Sequence, residues 1–236
     1  MFVDKNKVIL LIVVPALVLG ACNLNVTRTP QAPSGLTQPI GAGSTSPSSE
    51  APFPAPADPN AIIQPETLEY LGAFRLPGES GGSNWDYSGR GLTYYPDGDT
   101  SSPDDGYPGS LFGVGHDYLQ YVSEISIPVP IISKNPVDLN TAVTLQPFAD
   151  ITDGMFGETE LPRLGLQYLP PQGQQTSGKL HFVHGQHFQG FEPSHGWSEL
   201  TLGSPQPAGA WLFGDYTNYA TSDYIFEVPV EWVARI

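Results

Sequence analysis

His184 and His187 stand three residues apart, and His195 follows eight residues after His187. Neutral imidazoles with a carboxylate nearby bind Zn²⁺ or another transition metal, so His184, His187 and His195 are the candidate metal ligands. Their spacing fits no strong motif such as His-Glu-x-x-His. On a strand, His184 and His187 would point to opposite faces, and they meet only if the chain turns at Gly185-Gln186. The competing expectation is a set of polar loop residues with one or two hydrogen-bonded core histidines.

Other chemistry has less support. Asp97, Asp99 and Ser101 alternate as in a Ca²⁺ loop, but Ser102 and Pro108 stand where the Gly and Glu of such a loop belong, which favours a solvated acidic turn. Ser194-His195 and Ser198-Glu199 are adjacent pairs, yet no Gly-x-Ser-x-Gly elbow, dinucleotide fingerprint or phosphate loop is present. Glu158 and Asp86 could act as paired carboxylates if neighbouring elements faced them across a cleft. Aromatics supply a different reading. Trp85, Tyr87, Tyr118, Phe191 and Trp197 suit stacking on sugars, with Arg and Asp providing directional hydrogen bonds.

The elements that must position these residues are announced by an internal echo. Gly91-Leu92-Thr93-Tyr94-Tyr95-Pro96 returns 74 residues later as Gly165-Leu166-Gln167-Tyr168-Leu169-Pro170. Leu111-Phe112-Gly113-Val114 is answered by Leu180-His181-Phe182-Val183, and Ser123-Glu124-Ile125-Ser126-Ile127 by Ser198-Glu199-Leu200-Thr201-Leu202, 75 residues on. With 26 Gly, 25 Pro, 11 Tyr and 11 Phe, the composition suits a turn-rich β protein. Strands are expected near 68–76, 91–95, 110–115, 120–127 and 142–149. The second unit is expected near 164–169, 179–184, 197–202 and 209–214, with a further strand near 224–229 and a short turn at 230–235. The expected fold class is all-β, with propeller-like repeated four-stranded antiparallel sheets and about two blades visible. An open β-sandwich is the alternative. Two units cannot close a ring, so the domain is expected to be incomplete.

Strand alternation sorts the loops. Connections leading into the first strand of a unit, and those between its second and third strands, fall at one end. That end collects the ligand-binding candidates Trp85, Asp86, Arg90, His116, Asp117, Glu158, Arg163 and Trp197, together with Glu160, Glu192 and the three candidate metal ligands. The opposite end receives the loops 97–109 and 171–178, which hold no histidine.

The N-terminus has its own signature. Lys5 and Lys7 precede an apolar run over 8–19 that is too short to span a bilayer comfortably, and Leu19-Gly20-Ala21-Cys22 follows. This resembles the lipobox of bacterial lipoproteins, in which a small pair precedes a cysteine. The resemblance implies cleavage before Cys22, diacylglycerol on its thiol and a lipid anchor at the bacterial cell envelope facing outside the cytoplasm. Cys22 is the sole cysteine, so the folded part has no internal disulfide. Residues 1–21 read as signal peptide, 22–65 as a Pro/Ser/Gly-rich disordered tether and 66–236 as the β domain. Without residues 1–21, which hold Lys5, Lys7 and Asp4, seven basic and 23 acidic residues remain, a formal charge of −16. Such a surface disfavours nucleic acid. The leading expectation is an anchored module binding an extracellular glycan or small molecule. The alternative is an envelope hydrolase or lyase using the His-rich face, assisted by Zn or Ca.

Overall fold

A computed structural model describes residues 65–100, 106–187, 192–215, 225–228 and 230–233. The chain divides into two compact units, and the second, from Tyr70 onward, holds every strand among the described residues. Of the first, residues 65–69 are described, and Pro65–Thr67 forms a 3-10 turn.

Two four-stranded antiparallel sheets follow in chain order. The first contains β1 (Leu92–Tyr95), β2 (Gly106–Val114), β3 (Val122–Pro128) and β4 (Thr144–Ala149). The second contains β5 (Arg163–Leu169), β6 (Lys179–Gly185), β7 (His195–Ser198) and β8 (Ala208–Trp211). Both are meanders, each strand pairing with the next, and both are open sheets, which fits the sandwich alternative.

The echo sets register. Tyr94 pairs with Leu111 as Tyr168 pairs with Leu180, and Leu92 with Gly113 as Leu166 with Phe182. The third match slips by two residues. Leu111 faces Ile125, but Leu180 faces Ser198 rather than Leu200. β7 stops at Ser198 because Glu199 N donates to Pro205 O (2.7 Å) and Ser204 N to Thr201 O (3.0 Å), which turns the chain. Leu200 and Leu202 then enter the core from that turn, although their alternation reads as strand.

Period-2 alternation gives the first sheet two apolar faces. Phe112, Val114 and Val122 join Leu164, Leu166, Tyr168, Leu180, Phe182 and Leu202 in a core shared by both sheets. Leu111 and Ile125, on the other face, pack with Phe74, Ala142, Leu76 and Trp85. The segment expected as a strand over 68–76 is therefore a cover. It makes only isolated bridges, Ala73 with Ile131 and Arg75 with Thr141, because its apolar side chains lie on the sheet face instead of extending an edge. Likewise 225–228 forms no strand, and a single α-turn occupies Val230–Val233.

Polar contacts tie the sheets together. Tyr168 N donates to Thr93 Oγ1 (2.8 Å), and Leu164 N to Gln120 Oε1 (2.8 Å). Glu124 is buried, accepting from Ser110 Oγ (2.5 Å) and Gln146 Nε2 (2.7 Å). Gln146 also donates to Leu200 O (2.9 Å) and accepts from Leu202 N (2.9 Å), so one amide spans both sheets. At Gly91 an added Cβ would lie 2.9 Å from Leu164 O and Leu166 N, so the echo's first glycine permits close approach of β5.

Candidate functional site

The connections expected at one end do converge. Arg90, just before β1, donates from Nε to Asp117 Oδ1 at 2.7 Å, and Arg163 Nη1, at the start of β5, reaches the same oxygen at 3.4 Å. Asp117 sits in the β2–β3 loop, so three of the ligand-binding candidates form one ion cluster across the seam between the sheets. Each side chain is roughly one-quarter to one-third exposed, with Asp117 at 30%, so screening keeps its stabilising effect small. Its consequence is positional. Gln120, held at φ 55°, donates from Nε2 to Asp117 O (2.6 Å) and fixes the loop against β5.

Between these anchors the loop lifts Tyr118, which is 68% exposed. Tyr118 N donates to His116 Nδ1 (3.1 Å), and Tyr87 meets the His116 ring edge-on at 5.9 Å. Tyr87 is itself 81% exposed and adopts φ 56°, a conformation uncommon for a residue with a Cβ. Tyr118 borders a cleft of about 500 Å³ with Glu158, Thr159, Glu160 and Leu161 from the β4–β5 connection. That connection is pinned to the β6–β7 loop, since His187 N donates to Glu160 O (3.1 Å) and Glu160 N to Gln186 Oε1 (2.6 Å). A second cleft, of about 310 Å³, borders Tyr118 on Gly82, Ser83, Asn84, His116 and Leu119.

The remaining candidates lie elsewhere. Asp86 is exposed in the turn after Asn84, outside both clefts. Trp85 faces inward, its ring 4.7 Å from Phe148 and against Gly113, where a Cβ would approach the indole to 3.0 Å. It is a packing residue of the second core, not an exposed platform, because the outer face of the first sheet needs cover. Trp197 belongs to β7 rather than to a loop, and the Lys179 ammonium lies 4.5 Å from its ring centroid while pairing with Glu199. Phe191 and Ser101 lie outside the described residues.

The three candidate metal ligands are not brought together. His184 is buried, stacked on Phe156 at 4.3 Å and 5°, and its Nδ1 has no hydrogen-bond partner among the described residues. Burial pushes its pKa down to about 4, with Asp150 acting weakly the other way. His195 bonds Ser194 Oγ through Nδ1 (2.8 Å) and stacks on Phe213 at 5.1 Å. Among the described residues no group of three or more His, Cys, Asp or Glu is placed to hold a metal ion. Ser194 is buried at 2% exposure, so the Ser194–His195 pair presents no accessible nucleophile. The fifth histidine, His181, bonds Gln175 at the opposite end of the sheet (2.8 Å).

Sequence reasoning missed Gly82, Ser83 and Asn84. Their one signal is the Gly81-Gly82 turn closed by reciprocal Ser80–Ser83 backbone bonds, which carries the chain over the edge of β4. No family model, curated protein or solved structure matches the chain.

Proposed function

We propose that the protein is a lipid-anchored, extracytoplasmic binding module for a neutral carbohydrate, held at the bacterial envelope through Cys22. The observation that carries this is Tyr118. An exposed ring stands at the border of a cleft whose other walls supply carboxylate and hydroxyl groups, and the loop beneath it is fixed by the Arg90–Asp117–Arg163 cluster. Aromatic faces stack on sugar faces while acceptors take hydroxyl protons. The two meanders read as successive blades of a propeller. Their shared register and the grouping of loops at one end support that reading, since propellers bind ligands on such a loop face.

A neutral-glycan array probed with the full chain in detergent tests binding. Wild type is expected to retain a glycan, and Tyr118→Ala to lose it. An array on which both proteins are blank would sink the reading. Fractionation tests the anchor separately: Cys22→Ser is expected to leave the membrane fraction or to remain unprocessed, and unchanged partitioning and migration would refute lipidation.

A further inference from the structure

We infer that the carbohydrate is a linear neutral chain of at least two rings, bound across both clefts with Tyr118 as the ridge between them; this rests on the binding reading above. Among the described residues, Tyr118 is the one that borders both the 500 Å³ cleft and the 310 Å³ cleft. Both are open, shallow recesses rather than enclosed pockets, which suits an extended ligand lying across the surface. A ligand confined to either would use one side of a ring that stands 68% exposed, so adjoining units on both sides exploit it more fully.

The polar groups on the two sides are complementary. The larger cleft offers the carboxylates of Glu158 and Glu160, which only accept when ionised. The smaller one offers donors. His116 Nδ1 accepts from Tyr118 N, which leaves Nε2 to carry the proton of the neutral ring. Asn84 Oδ1 accepts from Asp86 N, leaving its amide nitrogen as the remaining group. Ser83 also borders this cleft. It is 6% exposed, and its Oγ has no hydrogen-bond partner among the described residues.

Hydroxyl-rich rings both donate and accept, so they match the two sides together. A cation would suit the carboxylates but not the donors around His116. An anion would find neither Lys nor Arg among the described residues that line either cleft. The ridge is also preorganised, because the backbone beside it is tied by Tyr118 N to His116 and by Gln120 to Asp117 O, so little ordering is needed on binding.

The test is calorimetry on the full chain in detergent. The probes are β-1,4-gluco-, β-1,4-xylo-, β-1,4-manno- and α-1,4-gluco-oligosaccharides of one to six rings. In at least one series, affinity is expected to rise about tenfold or more between one ring and three, then level off. His116→Ala is expected to remove that gain; because Tyr118 N also loses its acceptor, the readout is the ratio of three-ring to one-ring affinity and not the one-ring value itself. His116→Phe, which keeps the edge contact with Tyr87 and removes the donor, should do the same with the fold intact. Binding that is flat with chain length, or a length gain that survives both variants, overturns the two-subsite inference and spares the binding reading. No binding in any series overturns both.

Discussion

His184 and His195 leave opposite faces of the second sheet. Val183 pairs with His195 across β6 and β7, so those two side chains share a face, and His184, the next residue along, points away. The two imidazoles cannot ligate one ion without breaking the β6–β7 ladder. Zn²⁺ added to the metal-free protein is therefore expected to bind wild type and His195→Ala alike. Stoichiometric zinc that disappears in His195→Ala would defeat this expectation.

His184 should make stability depend on pH. Its folded pKa is lowered to about 4 from the ordinary 6.5. The unfolded chain therefore binds the extra proton first, and stability is complete above about pH 6.5 and declines as pH falls toward 4. The full loss is on the order of 3 kcal/mol, from about 1.4 kcal/mol per pKa unit. His181 and His195 are also lowered by burial and act with the same sign. Urea unfolding at pH 7 and pH 5 measures the effect. His184→Leu is expected to show a distinctly smaller difference between the two, and an undiminished difference would assign the pH dependence elsewhere.

Much of this architecture is legible in the residues. The recurrence of Gly-Leu-x-Tyr fixes β1 and β5, and the Leu111 and Leu180 motifs fix their partners, because alternation and pairing leave little freedom once a face is buried. Loop grouping follows from antiparallel order, which is why Arg90, Asp117 and Arg163 were legible as neighbours. What stayed hidden depends on tertiary competition. Leu200 and Leu202 alternate like a strand, but a turn held by Pro205 O sends them into the core. The 68–76 segment has strand composition, yet an uncovered sheet face captured Phe74. Exposure of an aromatic is likewise not written locally: Trp85 and Tyr118 look equivalent in sequence, and only the packing of Phe148 and Gly113 separates them.

Trp85 permits a sharp contrast. Its ring fills space between Phe148 and Gly113, while Nε1 is buried without a hydrogen-bond partner among the described residues. Trp85→Ala leaves a cavity and is expected to destabilise by about 3–5 kcal/mol. Trp85→Phe loses less volume and removes the unsatisfied N–H, so its effect should stay below about 1.5 kcal/mol. Denaturant midpoints compare the two directly. If Trp85→Phe were as damaging as Trp85→Ala, the indole nitrogen would have to hold a partner.

Gln146 is the residue whose loss should separate the sheets most. Its amide nitrogen donates to Glu124 Oε2 and Leu200 O, and its carbonyl accepts from Leu202 N. Gln146→Leu keeps the approximate volume but strips all three partners at once. Each buried group left without a partner costs about 1–3 kcal/mol, so a total loss of at least about 3 kcal/mol is expected, well beyond a typical substitution. Glu124→Gln keeps one carbonyl oxygen to accept from Gln146 Nε2 and turns its NH2 toward Ser110 Oγ, which as a hydroxyl can accept, so it should cost less than Gln146→Leu. The double variant is expected to fall short of the sum of the singles, because both act on one network. Urea unfolding of the four proteins closes the cycle. A Gln146→Leu loss under about 1 kcal/mol, or strict additivity with Glu124→Gln, would mean that solvent replaces these bonds and that the sheets are joined by apolar packing and the Thr93 and Gln120 contacts instead.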